Sequence, residues 1–267
     1  MTFSTISSCY ISPTISDNQF IPEHFFLYLA TGCMSAFDGN TEYSLQAGDY
    51  GLAVRNGLAK YSKQPDQGRF EKVVIFFDQA FLKAFQVRYA YASEGRRPAG
   101  SLVKLTENRL VHHFVQSLTP YLNGDGIIRP EFSDIKRSEL LVILLNEQPA
   151  LASILFNFGH PEKINLEQFM NLHYTFNVSI ERFAYLTGRS LSAFKRDFEQ
   201  LFHETPSRWL VKKRLQEAYF QLERNGKKPS EIYLDLGFED LSHFSYAFRK
   251  QFGHSPSTVA KRGATTD

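Results

Sequence analysis

The sequence predicts an α+β chain: a small β-roll with accompanying helices in the first half, then an all-α region of two helix-turn-helix units joined by a long helix. Three observations carry this. Between residues 20 and 78, aromatic and β-branched runs alternate with Gly, Asn, Asp and Pro. From residue 79 onward the apolar period lengthens to that of a helix. In the C-terminal part, one arrangement of short helix, Gly-containing turn and second helix occurs twice.

The strand-like runs are "HFFLYLATG", "TEYSLQAGDYGLAV", "AKYSKQP" and "FEKVVIFFD". Asp38-Gly39-Asn40 and Arg55-Asn56-Gly57 have the residue types of hairpin turns. Many short strands at regular intervals point to a small barrel or double-sheet roll. In "LTENRLVHHFVQSLTPYL", Leu110, Phe114, Leu118 and Leu122 recur at helical spacing, with Thr106 as the expected N-cap. A second helix follows in "RPEFSDIKRSELLVILLNEQ". Its run over residues 140–145 is apolar all round and must be covered on every side. A second copy of the chain, packing through the helices between residues 105 and 145, is the expected cover. The alternative is that residues 150–158 fold back onto the run. Pro149, Gly159 and Pro161 mark the boundary, giving domains 1–160 and 161–267.

Composition narrows the class. At 267 residues and 43% hydrophobic content the chain is long and apolar enough to bury one or two cores. The longest aliphatic run is too short to span a bilayer. "MTFSTISSCY" lacks a basic stretch followed by an apolar core, so no signal peptide and a cytoplasmic location are expected. Cys9 and Cys33 fit neither a disulfide framework nor a C-x-x-C site. Residues 160–267 carry 16 Lys and Arg against 13 Asp and Glu. That balance permits a polyanionic partner there without requiring one.

The candidate C-terminal helices are 166–174, 180–186, 191–202, 207–224, 231–236 and 241–252. "SIERFAYLTGRSLSAFKRDFEQLF" and "SEIYLDLGFEDLSHFSYAFRKQF" follow one logic. Ser179 and Ser230 are placed to cap the first helix of each unit, and Gly188 and Gly237 to end it where a positive φ is cheap. Ser190 and Asp240 are placed to cap the second helix. Phe194 and Phe198, and Phe244 and Phe248, are spaced i, i+4 and turn one face inward. The opposite faces carry Ser192, Lys195, Arg196 and Glu199 in the first unit, and Ser242, His243, Ser245, Tyr246 and Arg249 in the second. Small residues near a helix N-terminus let it enter a groove, and polar side chains one turn later reach base edges.

These residues carry a resemblance. Ala184, Ser190, Arg196 and Phe198, "RLQEAYFQL" in the linking helix and "LGFEDLSHFSYAFRKQFGHSP" resemble the DNA-binding domain of the AraC/XylS family of bacterial transcription regulators. The resemblance implies two recognition helices in successive major-groove segments, about 34 Å apart. Three positions depart from the family pattern. His203 stands where Gly is usual, Tyr233 where Ala is usual, and Tyr246 where Arg is common. The first two adjust packing; the third removes a guanidinium from the second unit. "SLQAGDYGLAVRNGLAKYSK" and "FFDQAFLKAF" resemble the cupin-like regulatory half of such regulators, in the type III secretion activator branch. There the N-terminal region self-associates and receives protein partners rather than sugars. The implied function is a promoter activator controlled through its N-terminal domain. The expected partners are double-stranded promoter DNA, RNA polymerase and a second copy of the chain; the effector, small molecule or protein, stays open.

Blander readings stand beside these. Arg196 is either a base or phosphate contact or a solvated charge, and His243 either a contact or an ordinary surface histidine. Arg214 reads as structural, pairing with a carboxylate in the linking helix. Lys212 and Lys213 reach phosphate or line a solvated face. Trp209 reads as core. The competing classes are a soluble cupin-like small-molecule sensor and a metal-dependent cupin enzyme, neither binding DNA. Cupin metals need clustered histidines, but the strand region has only His24, and the adjacent His112 and His113 diverge by about 100° on a helix. No P-loop, G-x-S-x-G or H-E-x-x-H is present, so no catalytic residue, metal or cofactor is assigned.

Overall fold

In the structure, a computed structural model that describes residues 6–10, 19–92, 100–123 and 126–263, the N-terminal strands follow a period of two. The first unit, Met1–Gly159, runs β1 (Ile6–Tyr10), β2 (Phe20–Ile21), β3 (His24–Thr31), β4 (Cys33–Phe37), β5 (Glu42–Gln46), β6 (Tyr50–Ala53), β7 (Gly57–Leu58), β8 (Lys60–Gln64), β9 (Glu71–Phe77), α1 (Gln79–Tyr89), β10 (Leu102–Lys104), α2 (Arg109–Ser117), α3 (Pro130–Glu147) and α4 (Ala152–Leu155). The strands pair in a five-stranded antiparallel sheet ordered β1-β9-β3-β6-β10, a three-stranded sheet β5-β4-β8 and a two-stranded β2-β7. Successive side chains of a strand point to opposite faces, so β3 serves two cores. Phe26 joins Tyr50, Leu52, Ile75 and Phe77 on the face covered by α1, α2 and α3. Leu27 and Leu29 join Met34, Leu45, Phe70 and Val74 on the face toward the three-stranded sheet.

Asp38-Gly39-Asn40 does turn a hairpin between β4 and β5, with Asp38 Oδ1 accepting from the N–H groups of Asn40 and Thr41 at 3.0 and 2.8 Å. Arg55-Asn56-Gly57 turns with Asn56 at φ 62°, but it is no hairpin. β6 pairs with β3 and β10 while β7 pairs with β2, so the chain changes sheet there.

Helix α2 starts later than expected. Tyr50 Oη donates to the Thr106 carbonyl and accepts from Asn108 N–H, which holds this stretch extended. Asn108, not Thr106, is the cap, accepting from Leu110 N–H at 2.7 Å. The buried face is Val111 and Phe114; Leu110 points to solvent, and Leu118 and Leu122 lie beyond the helix end. In α3, Leu140, Leu141, Leu144 and Leu145 are buried in one core with Leu151, Leu155 and Phe156. The chain bends by 119° after α3, and α4 folds back over the run. The leucines of the 140–145 segment are therefore covered within one chain, as the alternative reading had it, while Val142 and Ile143 stay half-buried. Among the described residues no single helix is long and apolar enough to cross a membrane.

The second unit, His160–Asp267, is helical: α5 (Leu166–His173), α6 (Ile180–Leu186), α7 (Leu191–Phe202), α8 (Pro206–Arg224), α9 (Pro229–Ile232), α10 (Leu241–Phe252) and α11 (Pro256–Gly263). Two differences from the sequence reading are local. Pro229 takes the first position of α9, where its missing N–H costs nothing, and Glu231 accepts from Lys228 N–H at 2.8 Å; Ser230 is thus inside the helix rather than its cap. Helix α11 lies beyond the helices that the sequence pattern predicts, although Ser255 before Pro256 is a start signal and its Oγ accepts from Thr258 N–H at 3.2 Å. Residues 1–5, part of the stretch read as lacking a signal sequence, and the Cys9 side chain lie outside the described residues.

Candidate nucleic-acid interface

Each helix-turn-helix is assembled from local signals. Ser179 and Ser190 accept from N–H groups three residues on, at Arg182 (3.2 Å) and Ala193 (3.3 Å), and so start α6 and α7. Asp240 does the same for α10, accepting from His243 N–H at 2.6 Å. Phe194, Phe198, Phe244 and Phe248 are fully buried. Trp209 on α8 is half-buried and packs against Phe198, Phe202 and Tyr174, closing the first unit's core. Tyr233 packs against the second core, beside Phe244 and Phe248.

Gly188 and Gly237 have φ values of 67° and 83°. At Gly188 a Cβ would collide with the backbone of Glu162 and Lys163. At Gly237 it would lie 2.6 Å from the Thr175 carbonyl oxygen and 2.9 Å from the Arg214 guanidinium carbon. Both glycines are required by close approach as well as by backbone angle.

Arg214 is structural, but its partners are not carboxylates. Nε donates to the Tyr174 carbonyl at 2.7 Å, Nη2 to Phe176 at 2.9 Å and Nη1 to Gly237 at 2.8 Å. One cation on α8 thereby ties the loop before α6 to the turn before α10. Burial pulls its pKa down to about 10, so it stays charged at neutral pH. Sequence alone could not find this clamp, because every residue offers a carbonyl.

With their aromatics inward, α7 and α10 show polar faces to solvent. Ser190, Ser192, Lys195, Arg196 and Glu199 are exposed on the first; Ser242, His243, Tyr246 and Arg249 are exposed on the second, with Ser245 half-buried. Arg196 is bonded to Asp197, Nη2 to Oδ1 at 3.0 Å. Three cations, Arg196, Arg189 and Lys163, hold the Asp197 carboxyl below its usual range. Lys212 is paired with Glu204, and Lys213 lies 5.9 Å from the Tyr174 ring centroid. His203 ends α7 in the left-handed region at φ 56°, where Gly253 ends α10 at φ 76°.

The N-terminal histidines are occupied with packing. His112 sits edge-on to Tyr28 and Tyr50, and His24 Nδ1 accepts from Arg55 N–H at 3.2 Å. Among the described residues no three His, Cys, Asp or Glu side chains are grouped to hold a metal. The N-terminal unit holds a partly open, mostly apolar pocket of about 250 Å³ between its sheets, with Lys72 and Tyr43 in its wall.

Residues 24–154 match the family described as "ExsA N-terminal regulatory domain", and residues 183–262 match "Helix-turn-helix domain". The virulence regulon transcriptional activator VirF of Yersinia enterocolitica is 31% identical over 227 residues, 82% of this chain and 79% of VirF. This chain belongs to the AraC family of transcription regulators. The HTH-type transcriptional regulator ExsA of Pseudomonas aeruginosa is 25% identical over 94% of this chain and 91% of its own. The thermoregulatory protein LcrF of Yersinia pestis is 29% identical over 82% and 79%. The AraC-family regulator described here is thus a DNA-binding transcription regulator with an N-terminal regulatory domain of the type III secretion activator kind.

Proposed function

We propose that this protein activates transcription by binding duplex promoter DNA through α7 and α10, under control of residues 1–160. The observation that carries it is the pair of capped helices with buried aromatic faces, outward polar faces and a shared Arg214 clamp. Ser190, Ser192, Lys195, Arg196 and Glu199 form the first contact set. Ser242, His243, Ser245, Tyr246 and Arg249 form the second. In the first set Lys195 and Arg196 supply phosphate and guanine contacts; in the second, Tyr246 and His243 give weaker base readout, with Arg249 on phosphate. RNA polymerase is the partner through which activation is transmitted, and the protein works in the cytoplasm.

The regulatory half, residues 1–160, is read as the seat of self-association and effector response. Its apolar cavity supports a small hydrophobic effector, and the match to type III secretion activators supports a protein partner. The test is genome-wide mapping of sites bound by the full-length protein, followed by transcription from a recovered promoter with purified RNA polymerase. Enrichment of discrete promoters with stimulated transcription is expected. No enrichment overturns DNA recognition; enrichment with repression overturns the activator assignment alone.

A further inference from the structure

Asp197 follows Arg196 on α7, and its side chain is 20% exposed. Its two oxygens are divided between opposite sides. Oδ1 accepts from Arg196 Nη2 at 3.0 Å. Oδ2 accepts from Arg189 Nε at 3.2 Å, with Lys163 Nζ at 3.6 Å. Arg189 is itself fixed, because Nη1 donates to the carbonyls of Ile164 at 3.0 Å and Thr187 at 2.8 Å. A chain of hydrogen bonds therefore runs from the helix-turn-helix turn, through a carboxylate, to a guanidinium whose side chain is 68% exposed.

Neighbouring residues on a helix point about 100° apart and do not ordinarily meet. The Arg196–Asp197 bond thus draws the guanidinium sideways across the helix face toward an anchored carboxylate. As a stabiliser an exposed ion pair contributes little. Its effect on binding is different in kind. A free arginine loses most of its rotamer freedom when it docks, and holding it beforehand removes part of that cost. One donor on the carboxylate leaves the rest of the five-donor fork for a partner. The negative charge, matched by Arg189 and Lys163, does not repel phosphate as a lone carboxylate would.

We propose that Asp197 is a positioning residue for DNA recognition: anchored by Arg189, it holds Arg196 in the orientation from which Arg196 reads a guanine edge, sharpening discrimination without touching DNA itself. This rests on the reading of Arg196 as a base contact. The test is a double-mutant cycle in the full-length protein, with Asp197→Ala, Arg196→Ala and both together. It measures preference at each base of a recovered site, affinity for unrelated DNA, and thermal stability.

Asp197→Ala is expected to lower discrimination by about threefold to tenfold at the base pair that Arg196→Ala also relaxes, as loss of a supporting partner does. Affinity for unrelated DNA should hold. In the Arg196→Ala background, Asp197→Ala should change discrimination no further. An equal loss in both backgrounds, or a uniform loss on all DNA together with a lowered Tm, overturns the proposal. If Arg196→Ala relaxes no position, the reading of Arg196 fails instead. Should Asp197→Ala fail to fold, the same cycle is read with Asp197→Asn, which keeps the side-chain volume.

Discussion

The Nη1 group of Arg214 and the carbonyl of Gly237 are 2.8 Å apart, and that bond fastens the long helix α8 to the turn of the second helix-turn-helix. The same guanidinium reaches back to Tyr174 and Phe176, ahead of the first unit. This side chain therefore adds a polar tie between the two helix-turn-helix units to the packing of α8 on α7 through Trp209 and on α10 through Tyr219.

Replacing Arg214 with Ala should take the guanidinium donors from the Tyr174 and Gly237 carbonyls and one of two donors from Phe176, which Val178 N–H also serves, and cost about 3–5 kcal/mol. Lysine carries donors on one point rather than a planar fork, so Arg214→Lys should recover only part of this. Urea unfolding of the full-length protein, followed by a probe near Trp209, checks both. DNA binding should fall with the C-terminal unit's stability. A loss under about 1 kcal/mol for Arg214→Ala would mean that solvent satisfies those carbonyls.

Gly188 and Gly253 separate two reasons for glycine. Both have positive φ, 67° and 76°, but a Cβ at Gly253 meets nothing within 4 Å, whereas at Gly188 it strikes backbone. Gly253→Ala should cost about 1–2 kcal/mol, the left-handed penalty alone. Gly188→Ala should cost more and shift α6 against residues 162 and 163. Thermal melts of the two variants give the order; equal melting points would contradict it.

His203 makes the opposite case. It holds a left-handed φ of 56° with a side chain that pays for strain, although histidine tolerates this region better than β-branched residues do. His203→Gly should therefore stabilise the protein by up to about 1 kcal/mol, the relief of strain less the extra freedom of glycine in the unfolded chain. Denaturant midpoints are the measurement, and a destabilised variant would show that the imidazole makes a contact worth more than the strain.

His24 sets a pH limit on the N-terminal unit. Burial, with the Arg55 charge second, drops its pKa from 6.5 to about 3. The folded pKa lies below the unfolded one, so the folded state excludes a proton that the unfolded state binds. Stability from this source is complete above about pH 6.5 and falls as pH drops toward 3, by up to about 1.4 kcal/mol per pH unit. Asp38 and Asp78 also have lowered values, through hydrogen bonds from Thr41 and Tyr43 and from Phe81 and Arg137, against opposing desolvation. Their losses begin only near the ordinary carboxylate range. Between pH 6.5 and 4.5 the slope is therefore that of His24, opposed in part by Glu23, whose carboxyl burial holds above its usual range. His24→Asn, which keeps an acceptor for Arg55 N–H, should flatten it in urea unfolding across that window. An unchanged slope would assign the acid sensitivity elsewhere.

What the sequence made legible was local. Capping by Ser190 or Asp240 acts over three residues, and Phe194 and Phe198 meet their core by helical spacing alone. The missed features are tertiary. Leu110 belongs to an apolar-looking stripe, but the Tyr50 contact to residues 106 and 108 sets the helix start and turns Leu110 outward. The leucines at 140–145 needed a cover, and spacing could not distinguish a partner chain from α4 of the same chain. Arg214 and Asp197 have partners 23 to 40 and up to 34 positions away, with carbonyls among Arg214's, and neither leaves a pairwise signature.

The two recognition helices should differ in how sharply they read DNA. Arg196 is exposed, charged and held at one end by Asp197, so it is ready for a bidentate guanine contact. Tyr246, 69% exposed, offers one hydroxyl and an aromatic face. Arg196→Ala should therefore lose about 1–3 kcal/mol of discrimination at one or two base pairs. Tyr246→Ala should lose less, spread over more positions, because a phenol cannot match the paired acceptors of guanine. Arg249→Ala should weaken binding to all sequences alike and reduce the salt dependence by about one counterion, as removal of a phosphate contact does. Selection of preferred sites from random DNA at two salt concentrations separates these outcomes. If Tyr246→Ala relaxes the site more than Arg196→Ala does, the second helix is the principal reader and the ranking of the two units is reversed.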